Sequence, residues 1–200
     1  MNLKFKAATA LILLAVSFSA CSTKVTRVEG NEAIDLSGNW NDTDSRLTSE
    51  EMIKDMLKQP WLARWQSKKR TPPVLTVGDI RNLSVEHISS QTFVNDIQRV
   101  IINSGEAEFV ASKMDRAQQR DERAEQDRYA SESTRKKERQ EIGADYILGG
   151  TINTIIDAEG KTAVKYYQID LTLTEVETQK IAWTGQKKIR KLIENKKIRP

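Results

Sequence analysis

The chain has 200 residues, a formal net charge of +4, one cysteine and one histidine. A single histidine excludes a multi-histidine metal site, and a lone cysteine cannot form an intramolecular disulfide. The small net charge gives little support to a polyanionic partner such as a nucleic acid. We therefore expect no metal, no cofactor and no catalytic residue, although two of the 28 acidic residues would suffice for a glycosidase, which leaves that alternative open.

The N-terminus has the features of an export signal. Lys4 and Lys6 give a positive start, and residues 7–16 form an apolar run that is shorter than the roughly 20 residues needed to span a bilayer. Small residues then lead into Cys21. This stretch resembles a bacterial lipobox, in which the cysteine becomes the first residue of the mature protein and is acylated. Ser22 follows instead of aspartate, and resemblance to sorted lipoproteins of Gram-negative bacteria then implies the outer membrane.

We therefore predict a signal peptide over residues 1–20, a lipidated N-terminus with a short tether over residues 21–35, and one domain over residues 36–200. Several acyl chains, such as palmitate, hold a protein stably on a membrane, and lipidation gives the only cysteine a use. Cleavage lowers the net charge to +2, because it removes two lysines and no acidic residue. The tether is polar, contains no proline and spans at most roughly 50 Å. A short strand at residues 24–29 is also possible.

The predicted domain opens with a short strand and a polar loop over residues 35–46. Asp42 and Asp44 alternate as the first ligands of a calcium loop do, but Arg46 stands where a third oxygen ligand is needed. We expect these carboxylates to hydrogen-bond the local backbone before a helix.

Thr48 and Glu51 have the spacing of a capping box, which predicts that a helix begins at Thr48. Apolar residues at helical spacing follow until Pro60 interrupts them. Trp61 and Trp65 lie one helical turn apart beyond it. Aromatic residues are enriched at interfaces, so these two are candidate partner contacts. Packing on the domain's own core is the alternative that we favour for them.

The middle of the chain alternates between strand and helix signals. His87 is expected to be a surface or capping residue. Residues 113–141 contain nine basic and eight acidic residues. This composition indicates a solvated helix without the apolar repeat of a coiled coil. The predicted elements are a strand at 74–80, a helix from Ser89 to Gly105, a short strand at 107–111 and a long helix at 113–141.

The end of the chain is predicted to be a three-strand meander over residues 146–156, 162–176 and 180–189. In its middle strand, apolar and polar residues alternate, which indicates one buried and one wet face. Gly149-Gly150 is expected to mark a bulge or a close backbone approach. The basic residues that follow either contact an anionic partner or form a frayed, solvated end; they are Lys187, Lys188, Arg190, Lys191, Lys196, Lys197 and Arg199.

Several segments together carry a resemblance to the LpoB family of outer-membrane lipoproteins, and the similarity covers essentially the whole mature domain. It depends on the order and spacing of these segments: Asp35 to Arg46, Pro60-Trp61-Leu62, Glu86-His87-Ile88, Ile102 to Gly105, Gly143-Ala144-Asp145, and Tyr166-Tyr167-Gln168 to Trp183-Thr184-Gly185.

The resemblance implies a single α+β domain similar to the amino-terminal domain of TolB, with a mixed sheet, a C-terminal antiparallel meander and several helices. It also implies that the protein is not an enzyme, and that it binds and activates a bifunctional penicillin-binding protein from the outer membrane, facing the periplasm. Peptidoglycan synthesis, and through it the cell wall and cell shape, would then be regulated. The alternative is a structural or assembly lipoprotein of a secretion or flagellar machine.

Overall fold

The computed structural model describes residues 26–30, 32–129 and 141–194. The chain divides into two compact units, Met1–Glu32 and Ala33–Pro200. In the first unit, the Glu32 N–H donates a hydrogen bond to the Glu29 carbonyl, and residues 26–29 have no strand, so the possible strand at 24–29 is not formed there. The predicted signal peptide and Cys21 lie outside the described residues.

The second unit contains helices and strands in one α+β domain, as predicted. In the described residues, the helices are α1 (Asp42–Lys58), α2 (Pro60–Lys68), α3 (Ser90–Ser104) and α4 (Lys113–Tyr129). The strands are β1 (Val74–Asn82), β2 (Glu108–Phe109), β3 (Tyr146–Glu159), β4 (Thr162–Glu175) and β5 (Ile181–Glu194). No helix in this part of the chain is long and apolar enough to cross a bilayer.

The five strands form one mixed sheet in the order β2-β1-β3-β4-β5. β1 is parallel to both β2 and β3, whereas β3, β4 and β5 form the predicted antiparallel meander. The first hairpin is longer than predicted, because β3 and β4 stay paired as far as Glu159 and Thr162. Gly160, with φ 60°, then makes the tight turn, a backbone conformation that favours glycine.

One face of the meander forms the core, as the alternation in the sequence predicted. The buried residues of β4 are Tyr167, Ile169, Leu171 and Leu173, and they pack with apolar residues of α1 and α3. Gly150 confirms the expected close approach, since a Cβ atom on it would lie 2.2 Å from the Asp170 carbonyl oxygen. A larger side chain at this point would force the two strands apart.

The first helix begins six residues earlier than predicted. Asn41 is its N-cap: its side chain accepts a hydrogen bond from the Asp44 N–H, and the Asp44 carboxylate accepts one from the Asn41 N–H, each at 3.0 Å. This reciprocal pair satisfies the first turn, so Thr48 lies buried inside the helix. Asp44 therefore hydrogen-bonds the local backbone as expected, but from inside the helix and not from a turn before it, and the short strand predicted at the start of residues 35–46 is not formed.

The predicted ends of α3 are confirmed: Ser89 stands at the N-cap position, although its side chain makes no capping hydrogen bond, and Gly105 ends the helix in the left-handed conformation, at φ 69°. The charged helix is described over only part of its predicted range, residues 113–141. α4 is described to Tyr129, residues 130–140 lie outside the described part of the chain, and residues 141–144 are not helical. Glu141 instead accepts two hydrogen bonds from the Arg120 guanidinium, at 2.8 and 2.7 Å.

The basic stretch after the meander is partly a regular strand. β5 continues to Glu194, so the idea of a frayed end is wrong for residues 187–194, because these residues pair with β4. Two side chains of α1 contact this strand. Glu51 pairs with Lys187, and Asp55 accepts a hydrogen bond from the Trp183 indole at 3.0 Å. Residues 196–199 lie outside the described residues.

Candidate partner-binding site

The meander has two ends that differ in chemistry. The tether end consists of the β3–β4 turn, the start of β4 and the end of β5, and the chain from residue 33 packs against it. The cleft end consists of the start of β3 and the β4–β5 turn. Along β4, ten residues separate Lys165 from Glu175, which corresponds to about 33 Å of strand.

At the tether end, Lys191 is almost completely buried, with a side chain that is 8% exposed. Its ammonium group lies 2.5 Å from an Asp44 carboxylate oxygen and 3.0 Å from one of Asp35, and it donates to the Asn39 carbonyl at 3.0 Å. A buried ammonium needs such partners, since burial without them strongly disfavours the charge. Lys191 therefore fixes residues 35–44 to the sheet.

A second, partly buried ion pair supports the same segment. Lys165 lies 2.7 Å from the Glu86 carboxylate, which also accepts hydrogen bonds from the Tyr167 hydroxyl at 2.8 Å and the Trp40 N–H at 3.2 Å. Burial alone would raise the pKa of Glu86, but the hydrogen bonds from Lys165, Tyr167 and Trp40 outweigh it and hold that pKa below its ordinary value. Burial, together with the bond to Glu86, raises the pKa of Tyr167.

At the cleft end, the two candidate tryptophans have different environments. Trp61 is 2% exposed, donates its indole N–H to the Met56 carbonyl at 2.7 Å and contacts Tyr146 edge-on with ring centroids 5.0 Å apart. It therefore belongs to the core, the alternative that the sequence analysis favoured. Trp65 is half-buried; it contacts the same Tyr146 ring at 5.6 Å and donates to the Thr71 carbonyl at 2.9 Å.

Trp65 lines a cleft of about 530 Å³ between α2 and the cleft end of the sheet. The Lys69 ammonium lies 5.1 Å from the Trp65 ring centroid, within the range of a cation–π contact. Burial raises the pKa of Tyr146, and the nearby carboxylates of Glu175 and Asp145 raise it further. The Tyr146 hydroxyl is therefore neutral at neutral pH. Exposed basic residues surround the cleft, namely Arg64, Lys68, Lys69 and Lys180.

A second concave surface was missed by the sequence analysis. It is a groove of about 840 Å³ between α1, α2 and α3, with Leu57, Leu62 and Val100 among its apolar residues and charged residues such as Lys54 and Arg99 on its rim. Each helix contributes only a few residues, so no single stretch of sequence contains the pattern. In the described residues, no group of three or more metal-binding side chains is present, and His87 is exposed in a loop.

Comparison with known proteins adds a family to this fold. The family described as "Peptidoglycan-synthase activator LpoB" matches residues 44–189, nearly three quarters of the chain, from α1 to β5. The chain belongs to the LpoB family. The family is thus defined by activation of a synthase, and the resemblance seen in the sequence is confirmed at this level. No curated protein sequence matches the chain.

Solved LpoB structures are similar at low sequence identity. The C-terminal domain from Salmonella enterica is 16% identical, with a TM-score of 0.44, over 73% of this chain and 98% of that one. The NMR structure of E. coli LpoB is 12% identical, with a TM-score of 0.42, over 90% of this chain and 83% of that one. Lipoprotein GNA1162 from Neisseria meningitidis is 15% identical, with a TM-score of 0.40, over 64% and 88%.

Proposed function

We propose that this LpoB-family chain is an outer-membrane lipoprotein that binds and activates a bifunctional penicillin-binding protein and so regulates peptidoglycan synthesis. The family match over residues 44–189 carries the proposal. The lipobox supports acylation of Cys21 after removal of residues 1–20, with the domain facing the periplasm. The protein then acts through binding, on a synthase that performs the chemistry itself.

The cleft end is the surface that we assign to the synthase. Its half-buried Trp65, beside Tyr146 and exposed basic side chains, has the composition of a binding hot spot, in which aromatic residues and arginine dominate. It also lies about 33 Å of strand away from the tether end, so it is the part of the meander that extends furthest from the tether. Because the tether is short, this length of strand adds to the distance that the protein can reach across the periplasm.

The experiment uses the mature chain with Cys21→Ser, which carries no lipid, and the organism's purified bifunctional penicillin-binding proteins. We expect direct binding and faster glycan polymerisation by one of them. Trp65→Ala is expected to weaken binding by about 2 kcal/mol, or roughly 30-fold, as truncation of a hot-spot aromatic does. Surface plasmon resonance and a polymerisation assay with labelled lipid-linked precursor measure the two effects.

Val100→Ser in the three-helix groove is the matched control, because it alters an apolar, partly buried residue of the other concave surface. It should bind within twofold of the parent chain. A loss confined to Val100→Ser would move the synthase site to the groove. Absence of binding to every bifunctional penicillin-binding protein would refute the proposed function.

A further inference from the structure

An apolar patch lies at the tether end, on the face of the sheet opposite the core. Ile155, Tyr166 and Arg190 are cross-strand neighbours on β3, β4 and β5, and Val164 and Leu192 are neighbours in the adjacent row. Ile155 and Leu192 are each 64% exposed, and Val164 is 36% exposed. Side chains alternate between the two faces of a strand, so these four apolar or aromatic residues lie together on the outer face.

Within residues 26–30, 32–129 and 141–194, no element covers this patch, as the exposure of its side chains shows. β1 pairs with β3 only as far as Ile152, so the hairpin beyond that residue extends past the parallel part of the sheet. The inner face of the same strands already has partners, since Lys165 pairs with Glu86 and Lys191 binds Asp44 and the Asn39 carbonyl there. Exposed apolar residues that cluster in this way mark interaction surfaces.

The position of the tether identifies the occupant. Asp35 pairs with Lys191, the residue next to Leu192, so the chain joins the domain at the same end of the sheet as the patch, on the opposite face. Fourteen residues separate Cys21 from Asp35. A segment of that length spans at most roughly 50 Å when fully extended. If Cys21 is acylated, as in the proposed function on which this step rests, the patch stays close to the bilayer, where even a weak contact is effective.

We propose that this patch, formed by Ile155, Val164, Tyr166 and Leu192, rests on the surface of the bilayer that holds the lipid anchor. Branched apolar side chains enter the boundary between headgroups and acyl chains, and Tyr166 has the apolar ring and polar tip that suit this boundary. Arg190 lies over the Tyr166 ring, with 5.6 Å from the guanidinium carbon to the ring centroid. Its charge therefore reaches headgroup level with the ring.

The sequence that follows the patch, and not the charges around the patch, favours anionic headgroups. Near it, three acidic residues balance three basic ones; they are Asp157, Glu159 and Glu194 against Lys161, Lys188 and Arg190. Lys196, Lys197 and Arg199 follow Glu194 in the sequence without a further acid. Basic residues close to an anionic membrane surface each contribute about 1 kcal/mol to binding. Contact at this end directs the cleft end away from the membrane.

Vesicle flotation of the mature chain with Cys21→Ser tests the contact without the lipid anchor and without any synthase. We expect the protein to float with vesicles of phosphatidylethanolamine and phosphatidylglycerol, and more weakly with phosphatidylcholine alone. The double variant Ile155→Ser, Leu192→Ser should lower the partition coefficient about tenfold, since it removes the two most exposed apolar side chains of the patch. Ile181→Ser is the matched control, because Ile181 is also 64% exposed on β5 but lies at the cleft end.

Equal losses in the double variant and in Ile181→Ser would overturn the proposal, as would failure of the parent chain to float. Binding that is indifferent to vesicle charge would contradict the anionic headgroups. A patch that instead joins two copies of the chain would appear in sedimentation velocity without vesicles and would also overturn it. If the double variant unfolds, hydrogen exchange of the parent chain should show vesicle-dependent protection at residues 155–166 and 188–194; protection at the cleft end alone would refute it. None of these results depends on binding to a synthase.

Discussion

The two ends of the meander use charged and aromatic residues in opposite ways. At the tether end, Lys191 is buried and Lys165 is partly buried, each paired with a carboxylate, and Trp40 packs edge-on against Phe93 and Tyr167, with ring centroids 6.1 and 5.7 Å apart. At the cleft end, the lysines are exposed and Trp65 is only half-buried. The tether-end residues already have partners inside the molecule, whereas the exposed surface of the cleft-end residues is available to a binding partner.

This difference separates stability from recognition. Breaking a buried ion pair by removing one partner leaves an uncompensated charge and is costly, whereas an exposed charge contributes little to folding. Variants of the ion-paired lysines and carboxylates at the tether end should therefore change the free energy of unfolding, and variants of the exposed cleft-end residues should change binding to the synthase. Three predictions test this division on stability.

The largest effect is expected for Lys191→Ala. It leaves the buried carboxylate of Asp44 without its cation and releases Asp35 and the Asn39 carbonyl, so we expect a loss of about 3 kcal/mol in the free energy of unfolding. Urea denaturation followed by circular dichroism measures it. Lys180→Ala, an exposed lysine of the cleft end, should change stability by less than about 0.5 kcal/mol. Similar losses for both variants would show that the two ends do not differ.

A smaller and pH-dependent effect is expected for Glu86→Gln, which removes the charge that pairs with Lys165 and keeps an acceptor for Tyr167. Because the pKa of Glu86 is lower in the folded protein than its ordinary value of 4.5, the carboxylate stabilises the fold above about pH 4.5. That stabilisation is lost as the pH falls through the folded pKa. We expect a loss of about 2 kcal/mol at pH 7.

The pH series supplies the control for Glu86→Gln. The parent chain and the variant should differ fully at pH 7 and pH 6, and the difference should shrink below about pH 4.5, as Glu86 becomes protonated in the parent chain. A difference that stays constant down to pH 3 would mean that the charge of Glu86 does not contribute. The lost contribution would then come from packing or hydrogen bonding alone.

Local signals in the sequence predicted much of this fold. Ser89 and Gly105 bound α3 because helix caps depend on neighbouring residues, and the alternation along β4 identified its buried face because strand geometry is local. The tether end was not predictable in this way. Lys191 and Asp44 are 147 residues apart, and nothing in a run of basic residues indicates which one will be buried.

The candidate site shows the same limit. Trp61 and Trp65 lie one helical turn apart, yet only Trp65 reaches the surface. Their burial depends on Tyr146, which lies about 80 residues further along the chain and contacts both rings. The sequence could therefore name the pair but not choose between its two members. The same holds for the start of α1, where two capping patterns compete: Asn41 with Asp44, and Thr48 with Glu51.

The smallest change in stability is expected for variants at the helix starts. Asn41→Ala, at the tether end, removes a side-chain cap and should cost about 1 kcal/mol. Gln59, which precedes the cleft-lining α2, makes no side-chain cap, so Gln59→Ala should cost less than about 0.5 kcal/mol. Thr48→Val distinguishes Asn41 from Thr48 as the N-cap of α1. The Thr48 hydroxyl is buried without a hydrogen-bond partner in the described part of the chain, so its removal should leave stability unchanged or raise it slightly. If Thr48 were the N-cap, Thr48→Val would instead be the destabilising change, and thermal denaturation of the three variants separates the two outcomes.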